Sequence, residues 1–301
     1  MNNHRNSSTA TPAIRFLGKS RRQWFQSFAF RWIRWFPGLP LPIRLPFGAW
    51  WLAEGDFLSA SLLWEGFENS ESAFALNFIQ PGMTILDIGA HRGFYSLLFS
   101  KKTGSCGRVL SFEPSPRERK KLLRHLKLNS CRNVSIFDCA LGAENGTAQL
   151  FVVNGRDDGC NSLRPPDTTS PTSPTPTRVS RLDEVLAEAG IQTVDFLKID
   201  VEGGELDVFR GASRLLEARP RPVVLCEVLD QRTRPWNYPA VRIIEELQGH
   251  GYVWFELLSD ASLGSLNPQQ KEFDGNFVAV PREDLARLEE LIVKRPTTPT
   301  D

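Results

Sequence analysis

From Met83 onward, short apolar runs alternate with longer amphipathic ones, and few folds accept that alternation. Strands are predicted over 83–88, 108–112, 134–137, 147–153, 194–199, 223–228, 252–258 and 276–280. Helices are predicted over 94–102, from Ser115–Pro116 through Asn129, and over 181–189, 205–217 and 241–248. Ser115 and Pro116 supply a cap and a first turn for the second helix, which should bury Leu122, Leu123 and Leu126. Gly190 should end the 181–189 helix. Strand and helix in turn imply an α/β fold, a Rossmann-like, doubly wound and mostly parallel sheet with helices on both faces.

The 301 residues suffice for one large domain and an N-terminal extension. We expect residues 1–50 to be that extension, 51–296 the domain and 297–301 a tail. Residues 1–13 are polar, lack the apolar core of a signal peptide and read as disordered. No apolar run is long enough to span a bilayer. Five cysteines, an odd number with no CxxC pair, argue against a disulfide framework and a zinc site, so a cytoplasmic setting is expected. The 36 basic and 35 acidic residues nearly cancel, which gives no global charge argument for a nucleic-acid partner. Residues 165–177, PPDTTSPTSPTPT, read as a flexible exposed loop.

Residues 21–36 are both basic and aromatic, and on a helix Trp24, Phe28, Trp32 and Trp35 share a face. Two readings follow. The stripe packs on the main domain, or it lies peripherally on a membrane surface. Core packing is preferred, because such stripes are more often core.

Ligands of doubly wound sheets sit beyond the carboxyl ends of the strands. Here those ends carry Asp87, Glu113, Asp138, Asp200 with Glu202, and Glu227. Acids crowded at one sheet edge repel one another unless a cation or cationic ligand sits among them. Gly89 and Gly93 permit a tight strand-to-helix turn and close approach of a ligand to the backbone. A dinucleotide would want GxGxxG around its pyrophosphate, whereas this turn reads DxGxxxG, with Asp87 on the strand itself. That carboxylate would repel a pyrophosphate and suit the amino group and sulfonium of S-adenosylmethionine. Glu113 lies 20 residues past Gly93, a spacing that suits an acid gripping ribose hydroxyls in either ligand. Asp200 and Glu202, two apart, should share a face if their strand continues, and Glu205 should start the next helix. Lys198 is read as supporting a carboxylate.

Six segments together resemble the FkbM-type methyltransferases: WEGFENSE (64–71), PGMTILDIGAHRGFYSLLFSK (81–101), FEPSP (112–116), CALGAENG (139–146), VSRLDEVL (179–186) and DFLKIDVEGGE (195–205). The resemblance spans roughly residues 50–281. It implies a sheet with an antiparallel last strand and methyl transfer from S-adenosylmethionine, typically to hydroxyls of sugars, glycans or natural products. By position it assigns Asp87, Gly89, Ala90 and Gly93 to the cofactor turn and Glu113 to the ribose. It sets Asp138, or the backbone near Ala140, at the adenine edge, and Asp200 near the sulfonium. His91 stands where the family often has Asn, so no catalytic role is assigned to it.

A hydroxyl acceptor must lose a proton as it is methylated. Asp200 and Glu202 are the candidate bases, with Glu227 beside them. Alternatively these carboxylates could hold Mg²⁺ or Mn²⁺. Two other functions remain open at this stage, a nicotinamide-dependent oxidoreductase and a non-catalytic, membrane-associated component of a glycan or lipid assembly pathway. The sequence leaves the acceptor and the oligomeric state undetermined.

Overall fold

The computed structural model describes residues 26–293, except 30, 34, 37, 65, 156, 157, 268 and 269. The chain divides into two units, Met1–Ile43 with Trp51–Gly66, and Arg44–Trp50 with Phe67–Asp301. The smaller unit therefore reaches past the expected boundary at residue 50. Its helical residues 26–29 and 31–33 tie to the 55–63 region, Gln26 Nε2 donating to the carbonyl of Leu63 at 2.8 Å.

In chain order the elements are β1 (Leu41–Arg44), β2 (Trp50–Ala53), α1 (Phe57–Trp64), α2 (Asn69–Phe78), β3 (Thr84–Ile88), α3 (Phe94–Thr103), β4 (Arg108–Phe112) and α4 (Pro116–Leu128). Then come β5 (Val134–Phe137), β6 (Ala140–Leu141), β7 (Gly146–Val153), β8 (Thr172–Ser180), α5 (Leu182–Glu188), β9 (Phe196–Ile199), α6 (Glu205–Arg210) and α7 (Ser213–Glu217). The chain continues with β10 (Val223–Leu229), α8 (Asp230–Thr233), α9 (Val241–Gly249), β11 (Tyr252–Leu257), β12 (Leu263–Ser265) and β13 (Asp274–Pro281).

The larger unit is an α/β fold around an eight-stranded sheet of order β12-β11-β13-β10-β9-β3-β4-β5. Strands β10, β9, β3, β4 and β5 run parallel. The final strand, β13, runs antiparallel between β10 and β11, as the resemblance implied. Alternation along the strands sorts the side chains by face. Leu86, Ile88, Leu197, Ile199, Val224 and Cys226 join one core with α5, α6, α7 and α9. The opposite face carries Phe196, ringed by Phe74, Phe78 and Phe99 of α2 and α3. Asp87, Lys198 and Glu227 occupy this second parity, which places them under α2 and α3.

Several expectations need correction. Leu123 is exposed, while Leu122 and Leu126 carry the buried stripe of α4. Ser115 does not cap α4 through its hydroxyl, which instead donates to Glu118 Oε2 at 2.6 Å. The expected 205–217 helix breaks at Gly211, where a Cβ would lie 2.1 Å from the carbonyl oxygen of Gly142. The 165–177 segment is not wholly a loop, since Thr172–Ser180 forms β8, antiparallel to β7. Pro174 and Pro176 face Phe151 and Gln149 at alternate register positions. The amide of Phe151 donates to Ser162, away from β8, so the prolines occupy non-hydrogen-bonded pairs where no donor is missed. Gly190 ends α5 in the left-handed region, as expected. No disulfide forms among the five cysteines.

In the smaller unit the described part of the aromatic stripe is divided between half-buried Trp32 and exposed Phe28 and Trp35. Trp24 lies outside the described residues. Residues 26–29, 31–33 and 35 are helical, and they bury Ala29 and half-bury Ile33. Phe28 and Trp35, on the adjacent face, are exposed, Trp35 at 69%. Trp32 is half-buried, like Ile33.

Gly211→Ala should lower the unfolding free energy by about 1–3 kcal/mol in urea titrations, because the new methyl meets backbone rather than a side-chain tip. Gly146→Ala, which meets nothing within 4 Å, should change it by less than about 0.5 kcal/mol. Equal effects would show that the α6–α7 break is not sterically imposed.

Candidate active site

The turn after β3 is fastened by its own amides. The Gly89 and Ala90 amides donate to the Phe112 carbonyl at 3.1 and 2.9 Å, and that of Gly93 donates to Ala90 at 2.8 Å. His91, at φ 48°, donates its amide to Glu113 Oε2 at 2.7 Å. Glu113 Oε1 accepts from the Ser115 amide at 2.7 Å. Its buried carboxyl therefore ties the β3 turn to the start of α4. Burial pushes it up to about 8, against the pull of these two amide donors.

Gly89 and Gly93 are needed for reasons other than ligand approach. At Gly89, φ is 82° and a Cβ would lie 1.8 Å from the Asp200 carbonyl oxygen. At Gly93 it would lie 2.3 Å from Leu122 Cδ1. Both glycines admit neighbouring protein. The first brings β3 against the end of β9, which sets Asp200 beside the turn.

Asp87 is fully buried. Its Oδ2 accepts from Ser96 Oγ at 2.5 Å, and its Oδ1 has no hydrogen-bond partner. Burial raises its pKa, and Lys198 opposes the rise. Lys198 is the register partner of Asp87 and is 4% exposed. Its Nζ lies 2.9 Å from Asp200 Oδ2 and 5.0 Å from the centre of the Tyr95 ring. Burial disfavours this ammonium, but Asp200, Glu68 and Asp87 outweigh it and hold the group above its ordinary range.

Asp200, Glu202 and Glu227 converge, each offering an oxygen within 4.8 Å of the others. They do not do so by strand alternation, as expected for the first pair. β9 ends at Ile199, and Glu202 sits at φ 58° in a left-handed turn. That turn is clamped. The Glu202 carbonyl accepts from Ser162 Oγ at 2.8 Å and Trp236 Nε1 at 3.2 Å, and the Gly203 carbonyl accepts from the Tyr238 hydroxyl at 2.5 Å. Arg232 Nε forms an ion pair with Glu202 Oε2 at 2.7 Å. Burial and Asp200 push the Glu202 carboxyl upward, and Glu227 rises well above the carboxylate range for the same reasons. Glu205 stays with the fold, its Oε1 accepting from the Val201 and Gly203 amides.

The remaining predicted residues lie apart from this cluster. Asp138 is 66% exposed and pairs with Arg178 at 3.6 Å on the surface. Ala140 is buried in β6 and paired with Val179. His91, held near Asp158 and Glu118, is pushed down to about 4 by burial and by Arg92.

Sequence reasoning assigned no role to Glu68, although WEGFENSE was in view. Glu68 precedes α2 at φ 43°, and its Oε2 accepts from the Tyr95 hydroxyl at 2.6 Å. Burial lifts it to about 7, partly offset by Lys198. Glu71 joins from the same helix through Asn276 Nδ2 at 3.0 Å, and Asn276 is the register partner of Glu227. The overlooked signal was an acid pair three apart at a helix start.

The site thus gathers carboxylates from α2, β3, β9 and β10 around one lysine and one arginine. Such a set fits a ligand bearing positive charge and hydroxyls. Asp87 Oδ1 is an acceptor in need of a donor, and Glu113 is a fixed acceptor beside the turn. A doubly wound sheet with this acidic rim suits a cationic ligand better than a pyrophosphate.

Comparison with known proteins narrows the class. Residues 87–254 match the family described as the methyltransferase FkbM domain. The chain belongs to the FkbM methyltransferase family. It is 29% identical over 147 residues to methyltransferase 1 of Beauveria bassiana, covering 42% of this chain and 57% of that protein. The antimetabolite synthetase AmbE of Pseudomonas aeruginosa is 27% identical over 207 residues, 58% of this chain and 10% of that one. The 2-O-methyltransferase NoeI of Sinorhizobium fredii is 26% identical over 197 residues, 62% and 77% of the two chains. The chain thus spans little more than half of the first relative and a tenth of the second. The solved FkbM methyltransferase of Methylobacillus flagellatus superposes with a TM-score of 0.42 at 14% identity, over 75% of this chain and 55% of that one.

The raised carboxyls give a pH dependence with a definite sign. Glu68 and Glu205, lifted to about 7, and Glu113, lifted to about 8, bind protons more tightly in the folded chain than in the unfolded one. Their contribution is full below the ordinary carboxylate range and is lost as pH rises through the folded values. Between pH about 7 and 8.5 the His91 imidazole, depressed in the folded chain and ordinarily titrating near 6.5, is mostly neutral in both states, so it offsets little of the loss. The melting temperature of the ligand-free protein should therefore fall over this window, and Glu113→Gln should flatten the upper part of the fall. A melting temperature that rises across the window would contradict this ordering.

Proposed function

We propose that this chain transfers a methyl group from S-adenosylmethionine to a hydroxyl oxygen on a sugar, glycan or comparably hydroxylated natural product. The observation that carries the reading is the commitment of the turn's amides. Those of Gly89, Ala90, His91 and Gly93 are all engaged within the protein, beside buried carboxylates. A pyrophosphate needs free amides and no negative charge there, so a nicotinamide dinucleotide is disfavoured. A sulfonium with an amino group and ribose hydroxyls needs the reverse. The kinship with a protein named a 2-O-methyltransferase supports oxygen as the acceptor atom.

S-adenosylmethionine, when bound, supplies an electrophilic methyl group. The chain's own residues supply alignment and a proton acceptor. Glu113 would hold the ribose, and Asp87 and Asp200 would face the cationic end of the cofactor. Glu202 and Glu227 would hold the acceptor hydroxyl, with Glu202 taking its proton. A carboxyl lifted toward neutrality is a better general base than an ordinary one, and such catalysis adds about 10²–10⁴-fold. The clamped turn at Glu202 fixes that group in place, and alignment contributes further. The three clustered oxygens are also hard donors of the kind Mg²⁺ and Mn²⁺ accept.

The test is methyl transfer from labelled cofactor to a panel of saccharides and hydroxylated metabolites. Glu202→Gln should keep cofactor affinity while lowering kcat by about 10²-fold or more. S-adenosylmethionine should raise the melting temperature, and NAD should not. The opposite ranking would sink the proposal. Activity that survives a chelator assigns the cluster to proton transfer, whereas activity lost to a chelator and restored by Mg²⁺ or Mn²⁺ assigns it to a cation.

A further inference from the structure

We infer that the small N-terminal unit carries a docking surface for an anionic lipid bilayer. The argument is independent of the methyl-transfer reading. It begins with charge. The first acidic residue of the chain is Glu54, and the 53 residues before it hold eight Arg and Lys. The remaining residues therefore carry 28 basic against 35 acidic groups, a net of −7. A whole-chain charge of +1 conceals this separation.

The second observation is exposure. Ten large hydrophobic side chains are exposed among the described residues, and six of them lie in the small unit, which is far the shorter. They are Phe28, Trp35, Phe36, Leu39, Phe57 and Trp64. Phe57 and Trp35 are 68% and 69% exposed. Several form a continuous surface. The rings of Phe28 and Trp32 lie 5.9 Å apart, those of Trp32 and Phe36 lie 5.0 Å apart, and Trp32 Nε1 donates to the Leu39 carbonyl at 3.0 Å. The helix buries Ala29, half-buries Trp32 and leaves Phe28, Trp35 and Phe36 exposed, so most of these rings lie outside this unit's core.

Rings of this kind beside Arg suit the boundary between headgroups and acyl chains, where an aromatic body is buried and cations meet lipid phosphates. No described helix is long and apolar enough to cross a membrane, so the surface would lie on the bilayer. A second copy of the chain fits less well. The basic stretch contains no acid to pair with its own arginines, so face-to-face packing would set like charges together. Asp56, just beyond the stretch, is already engaged by the amide and hydroxyl of Ser59 at the start of α1. Neighbouring basic residues add roughly 1 kcal/mol each to attraction toward anionic lipid, or about fivefold per charge.

The test is sedimentation of the full-length protein with phosphatidylcholine vesicles, with and without phosphatidylglycerol. Binding is expected only when phosphatidylglycerol is present, and high salt should weaken it. The double variant Trp35→Ser, Phe57→Ser should bind at least about tenfold more weakly, since less apolar area enters the interface. Its melting temperature should be unchanged, because both side chains are exposed. Arg31→Glu should likewise weaken binding. Methyl transfer to a soluble acceptor should be unaffected in every variant. Three results would overturn the proposal: no binding to phosphatidylglycerol vesicles, equal binding to both vesicle types, or a dimer in light scattering that the double variant converts to monomer without any vesicle binding.

Discussion

One buried ammonium holds the candidate site together. Lys198 lies on the central strand β9, opposite Asp87 and 2.9 Å from Asp200, with Tyr95 and its partner Glu68 against it. Burying an unpaired lysine is costly, and so is burying several carboxylates. Brought together, each offsets the cost of the other. Burial, reinforced by the surplus of neighbouring acids, holds Glu68, Asp87, Glu202 and Glu227 above their ordinary range. A site with surplus buried carboxyls is ready either to hold protons or to receive a cation. An electrophilic sulfonium and a hydroxyl about to lose a proton make use of both properties.

Backbone geometry gives that charge its positions. Gly89 lets the β3 turn touch the Asp200 carbonyl, which no side chain at that position would permit. At the other end of the same short segment, Gly203 lets the Glu202 turn lie against Arg232, where a Cβ would come within 2.1 Å of its carbonyl oxygen. Between these two contacts the chain turns from strand to helix in five residues and presents two carboxylates. Trp236, Tyr238 and Ser162 then fix the turn from a strand connection and a loop distant in sequence. A left-handed glutamate is unfavourable alone and persists only where its surroundings determine it. Its occurrence beside the proposed acceptor position is consistent with a residue placed for chemistry.

Much of this was legible in the sequence, and the failures have physical causes. The parallel strands were readable because strands buried on both faces are nearly continuous apolar runs. The acids that matter were readable because they stand directly after those runs. Lost from view was whatever depends on contacts between distant segments. Glu68 lies well before β3 in sequence, and only the packing of α2 on the sheet brings it to Tyr95. The Asp200–Glu202 relation was misread because alternation was carried past Ile199 into a turn. The Pro-rich β8 was misread because composition reports missing donors without reporting which way they would point. Its prolines face away from the β7 ladder, so nothing is lost there.

The aromatic stripe was only partly legible, for a related reason. Periodicity identifies residues that share a face but does not state which of two neighbouring faces turns inward. In the N-terminal helix Ala29 takes the buried position, while Ile33 and Trp32 are half-buried and Phe28 and Trp35 exposed. Charge supplies the information that periodicity lacks. The sheet-bearing part of the chain is net acidic and gathers carboxylates at its proposed site, so an anionic surface would repel rather than recruit it. The acid-free first 53 residues supply the opposite field. A chain with an anionic site can still be brought to an anionic bilayer if the attracting charge is confined to a separate segment, as it is along this sequence.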